Sequence, residues 1–183
     1  MIITISGLPG SGKSTVAKYV AKKLNLKHYY IGQILRDMAK KQGKFFQDFY
    51  KEADPEEVDK KVDEYQKQLG RTEDNFIIEG RTSFYFIPHS IKVFLTVDLK
   101  VGAKRIFEES KRRNESGSEK IHKSLEDAIE DVKDRIETEK KRYWELYHLD
   151  HHNSELYDLI IDTTSLTPTQ VGDVIINYVK NKN

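Results

Sequence analysis

The strongest chemical signal lies near the start of the chain. Gly7-Leu8-Pro9-Gly10-Ser11-Gly12-Lys13-Ser14 fits the pattern G-x-x-x-x-G-K-[ST] at every fixed position. The glycines allow backbone angles that wrap successive N–H groups around a polyphosphate. A helix starting at Lys13 would point its positive dipole end at the same anion. Lys13 is expected to reach the β- and γ-phosphates, and the Ser14 hydroxyl to ligate Mg²⁺. Thr15 is placed for the α-phosphate. The expected ligand is ATP with Mg²⁺.

A second set of residues is made of arginines. Lys outnumbers Arg in this chain, so the Arg positions carry information. Arg grips phosphate through a planar fork that Lys lacks. Arg36 lies past an expected second strand, and Arg81 past a third. Arg105, Arg112 and Arg113 follow a fourth. Arg135 and Arg142 lie two turns apart on one face of a long expected helix. Arg71 reads as a surface charge. Glu79 ends a strand beside the loop, where it could orient the hydration shell of Mg²⁺ or hydrogen-bond to the loop. His148, Asp150, His151 and His152 could suggest a metal site but read better as a polar turn.

The elements that must position these residues follow from short apolar runs alternating with helical periodicity. Strands are expected at 2–6, 28–31, 76–78, 91–97 and 156–161. Helices are expected over 13–24, 32–41, 101–111, 125–147 and 168–180, with two short ones in 44–70 broken at Asp54-Pro55. Residues 112–123 read as a polar, mobile loop. This alternation predicts an α/β fold: a five-stranded parallel sheet with helices on both faces, in one domain over 1–183. Ligands in such sheets bind beyond the C-terminal strand ends.

Composition narrows the function classes. The chain has 183 residues, a net charge of +1 and no cysteine. Charges of both signs are mixed, so no basic surface for bulk nucleic-acid binding is expected. No cysteine means no disulfide and no thiolate metal site, which fits a cytoplasmic protein. No run approaches the roughly 20 apolar residues of a membrane span, and no targeting segment is expected. A monomer is expected. A GTPase would need a guanine-reading N-K-x-D segment; Asn181-Lys182-Asn183 lacks the acid.

The chain resembles the nucleoside monophosphate kinases, most closely the archaeal-type cytidylate kinases. The likeness runs through Ile2 to Thr15, Ile31-Gly32-Gln33-Ile34-Leu35-Arg36, Glu79-Gly80-Arg81, Arg135-x-x-x-Glu139-x-x-Arg142-Tyr143 and Ile161 to Pro168. Gln33 stands where that family commonly has Asp, and Thr82 to Phe86 departs from its usual segment. The resemblance implies the P-loop NTPase fold, with a mobile monophosphate-binding region at about 33–72 and a lid at about 108–123. It implies transfer of a phosphoryl group from ATP to CMP or dCMP. It places Gln33, Arg36, Arg81, Arg135, Glu139 and Arg142 around the acceptor, with Glu139 near ribose or base. Lys13, Arg81, Arg135, Arg142 and a lid arginine, Arg112, would neutralise the moving group, and Arg105 would serve ATP. AMP, UMP or dephospho-coenzyme A as acceptor, or a regulatory ATPase on the same fold, are the alternatives.

Overall fold

The computed structural model describes residues 1–41, 55–113 and 122–182. Among them, five strands form one parallel sheet: β1 (Ile2–Gly7), β2 (Lys27–Tyr30), β3 (Phe76–Glu79), β4 (Ile91–Thr96) and β5 (Leu159–Asp162). The order is β2-β3-β1-β4-β5. β1 is central, with Ile3 opposite Ile77 on one side and Ile91 on the other.

Side chains alternate across the pleat, so β1 feeds two cores. Ile3 and Ile5 pack with Val16, Ala17 and Val20 of α1 (Lys13–Leu24) and with Val171, Ile175 and Val179 of α7 (Pro168–Lys182). Ile2 packs on the other face with Phe76, Ile78, Ile87 and Leu69 of α3 (Pro55–Thr72). Each such buried side chain contributes about 1.5–3 kcal/mol. Helices therefore cover both faces, as alternation predicts. A third cluster, around Ala103, Ala128 and Val132, joins α5 (Leu99–Arg113) to α6 (Leu125–Tyr147).

Local chemistry explains the boundaries. Asn25 takes a left-handed conformation, φ 54°, and ends α1. Thr167 and Gln170 cap α7 reciprocally: Gln170 Oε1 accepts from the Thr167 N–H at 2.9 Å, and Thr167 Oγ1 accepts from the Gln170 N–H at 3.3 Å. Ser124 caps α6 by accepting from the Asp127 N–H.

Several elements differ from expectation. α2 (Ile31–Lys41) starts at Ile31, which reads as strand from its neighbours. α5 starts at Leu99, because the Asp98 carboxylate accepts from the N–H groups of Lys100 and Val101. A one-turn helix, α4 (Ser83–Phe86), forms from an aromatic segment. β5 starts at Leu159, and Ser154–Leu156 make a 3₁₀ turn. The expected break at Asp54 and most of the polar loop at 112–123 lie outside the described residues. Among the described residues no helix is long and apolar enough to cross a membrane.

Candidate active site

The loop after β1 crosses the C-terminal edge of the sheet and enters α1. Gly10 has φ 75°, and a Cβ there would come within 2.3 Å of the Gly102 carbonyl of α5. Gly12 has φ 83° at the helix start, where a side chain would have open space but a strained backbone. Lys13 Nζ donates to the carbonyls of Gly7 at 2.9 Å and Leu8 at 2.8 Å. Burial, then the neighbouring Arg81 charge, push the Lys13 ammonium well below its ordinary value. The negative charges of Glu139 and Glu79 oppose that shift without reversing it.

Ser14 donates its hydroxyl proton to Glu79 Oε2 at 2.5 Å. Glu79 ends β3 and is 2% exposed. Thr15 is exposed on the first turn of α1. A hydroxyl with a buried acid behind it offers hard oxygen chemistry, which suits Mg²⁺. That ion keeps most of its waters and takes few protein ligands. Among the described residues no group of three or more His, Cys, Asp or Glu is arranged to hold a metal. His151 is instead buried against the Tyr143 ring, 4.8 Å between centroids, and burial holds it at about 4.

Arg81 follows Glu79 and Gly80 and reaches across to α6. Its Nε donates to Glu139 Oε2 at 2.5 Å, while Arg135 Nε donates to Glu139 Oε1 at 2.9 Å. The Arg81 and Glu139 side chains are only 14% and 16% exposed. Burial works against the Arg81 charge, and Glu139 more than offsets it. Burial would raise Glu139, but Arg81 and Arg135 outweigh it and hold the carboxyl at about 2. The unfolded chain takes up that proton near 4.5 and the native protein only near 2. This contribution to stability is therefore complete above pH 4.5 and disappears as pH falls through 2. It is on the order of 3 kcal/mol. Urea unfolding from pH 6 downward should show a steep acid limb, and Glu139→Gln should flatten it.

Arg142 reaches the neighbouring helix α3. It pairs with Asp59 on α3, with Nε donating to Oδ2 at 2.9 Å and a second bond from Nη2 to Oδ1. Tyr147 on the same helix donates to Asp63 Oδ2 at 2.5 Å. Burial pushes Asp63 up to about 6. Ser83 donates to Gln66 at 2.7 Å. Asp59, Asp63 and Gln66 thus form one polar face of α3 turned to α6 and α4. Sequence reasoning missed this face, although the spacing i, i+4, i+7 was there to be read.

Arg105 is held at the loop. It donates to the carbonyls of Gly10 at 3.3 Å, Thr163 at 2.8 Å and Thr164 at 3.2 Å, and to Thr163 Oγ1 at 3.2 Å. The turn after β5 is thereby tied to the phosphate loop. Gln33 is exposed on the first turn of α2. Arg36 lies on α2 and Arg112 on α5; their side chains lie outside the described residues. The structure thus brings together Lys13, Ser14, Glu79, Arg81, Arg135 and Glu139, and sets Arg142 toward α3.

Comparison with known proteins shows the family and the fold. Residues 2–165 match the model of the cytidylate kinase-like family. The cytidylate kinase of Archaeoglobus fulgidus is 38% identical over 185 residues, covering all of this chain and 96% of the relative. That of Methanocaldococcus jannaschii is 37% identical, covering 99% and 98%. Among solved structures, shikimate kinase from Acinetobacter baumannii in complex with shikimate superposes with a TM-score of 0.66 at 15% identity, over all of this chain and 94% of that one. Shikimate kinase from Aquifex aeolicus gives 0.61 at 19%, covering 100% and 98%. Those structures share the P-loop kinase fold, and the chain belongs to the cytidylate kinase-like family.

Proposed function

We propose that the protein transfers the γ-phosphoryl group of ATP to CMP or dCMP, releasing ADP and CDP or dCDP. The observation that carries this reading is the arginine–acid cluster of Arg81, Glu139 and Arg135 beside a complete phosphate loop. It lies within a chain similar over its full length to proteins named cytidylate kinase.

In this reading an oxygen of the acceptor monophosphate forms a bond to the γ-phosphorus. The bond from that phosphorus to the β–γ bridging oxygen breaks, and its electron pair leaves with ADP. The acceptor is already an anion near neutral pH, so no general base is needed. Catalysis is alignment and charge neutralisation. Lys13 and the loop N–H groups hold the donor phosphates. Arg81, Arg135, Arg142 and Arg36 hold the acceptor phosphate and the moving group, with Arg112 joining from the lid. Glu139 bonds ribose or base once Arg81 turns to phosphate. Arg105 braces the loop under ATP. Ser14, with Glu79 behind it, would hold Mg²⁺, which would supply positive charge to the donor phosphates. Residues 33–72 and 108–123 close over the substrates and exclude water. The enzyme works as a monomer in the cytoplasm.

A panel of CMP, dCMP, UMP, AMP and dephospho-coenzyme A in a coupled ADP-release assay tests this. CMP or dCMP should exceed the others by at least about tenfold in kcat/KM, one hydrogen-bonding contact's worth of discrimination. Equal rates with all acceptors would sink the base assignment. ATP turnover that no acceptor stimulates would sink the kinase reading.

A further inference from the structure

Glu79 is gripped from two sides, and the kinase reading uses only one of them. Its Oε2 accepts the Ser14 hydroxyl proton at 2.5 Å, and its Oε1 lies 2.8 Å from Nε2 of His28 on β2. The strand register explains the meeting. Tyr30 pairs with Glu79 and His28 with Ile77, so positions 28 and 79 share one face of the sheet. Ile77 on that face packs in the core with Val16 and Ala17 of α1, the helix that also carries Ser14. The His28 side chain is 19% exposed and Glu79 only 2%. With the Glu79 oxygen as acceptor, Nε2 is the donor in this contact.

We propose that His28 is a positioning residue for the Mg²⁺ site: it fixes Glu79, and Glu79 fixes the direction in which the Ser14 oxygen presents its lone pairs. This rests on the reading above, in which Ser14 binds the ion. A hydroxyl has one proton and two lone pairs. It can serve a cation only if the proton points elsewhere, and Glu79 is where it points. A carboxylate held by one hydroxyl alone could swing about its side-chain bonds. A second donor, on its other oxygen, stops that. Groups of this kind behind a metal ligand typically govern metal affinity by about 10–100-fold.

The test measures binding rather than turnover. The dissociation constant of adenylyl imidodiphosphate is determined with saturating Mg²⁺ and again in EDTA, and the ratio isolates the metal's contribution. His28→Gln keeps an N–H at the Nε2 position and should retain the wild-type ratio within about threefold. His28→Leu has no donor, and His28→Asn has one too short to reach; both should shrink the ratio by about tenfold or more. Affinity in EDTA should be the same for all three variants. Should His28→Leu fail to fold, the comparison of Gln with Asn decides alone. A variant that weakens binding equally with and without Mg²⁺ would mark His28 as merely structural and overturn the proposal. So would equal ratios for Gln and Asn. A wild-type protein whose binding ignores Mg²⁺ would instead overturn the reading of Ser14, and the role of His28 with it.

Discussion

Lys13→Met should lower kcat/KM by about a thousandfold or more and leave unfolding free energy within about 1 kcal/mol of the wild type. The first effect follows from removing the cation that meets the β- and γ-phosphates. The second follows from the surroundings of Lys13. Burial and the Arg81 charge already press on the ammonium, so its loss relieves a cost, while two loop carbonyls lose a donor. Steady-state kinetics and urea denaturation on the same sample check both. A linked effect has a definite sign. A bound polyphosphate raises the lowered Lys13 value, so binding takes up a proton in the window between the free-state and bound-state values. Nucleotide affinity should weaken as pH rises through that window. Calorimetry in two buffers of different ionisation heat should show the uptake in wild type and none in Lys13→Met.

Arg81→Met should cost about 10²–10³ in kcat, as does loss of one fixed donor at a developing charge. It should also destabilise the protein by at least about 2 kcal/mol, the lower side of breaking a buried pair, because Arg135 still faces Glu139. The double variant Arg81→Met/Glu139→Leu separates the two effects. It removes the stranded acid and should recover most of the stability while staying inactive. Chemical denaturation and initial rates are the measurements. Arg81→Met with kcat within about threefold of wild type would remove Arg81 from the reacting centre.

Much of this site was legible from residue type and spacing. The loop motif lies between a strand and a helix, and the glycines demand one kind of backbone. Arg81 and Arg135 stand out by residue type and spacing, and Glu139 through the resemblance to the cytidylate kinases. The partners of these groups do not. Arg142 finds Asp59 across 83 residues of chain, and His28 finds Glu79 through a strand register. Neither distance leaves a local trace. The same holds for structure. Leu156 and Tyr157 look like the start of a strand, yet Asn153 caps a 3₁₀ turn there by accepting from the Glu155 N–H. Tyr157 then turns to the rings of Phe84 and Phe94. Phe84 to Phe86 favour strand by propensity, but packing overrides it. Ser83 and Phe84 are buried, and the Tyr85 and Phe86 rings pack tilted and edge-on against Tyr147.

The pairing of β1 has a consequence for how the molecule comes to exist. Its neighbours in the sheet begin at Phe76 and Ile91, so every backbone pairing of the strand that leads into the phosphate loop has a long sequence separation. Such closures are slow, and they wait for chain not yet made. A growing polypeptide that has not reached Thr96 holds every residue of the loop and no seat for it. Until then Ile2, Ile3 and Ile5 are an uncovered apolar strand, which is the interval in which this protein is most exposed to aggregation during synthesis.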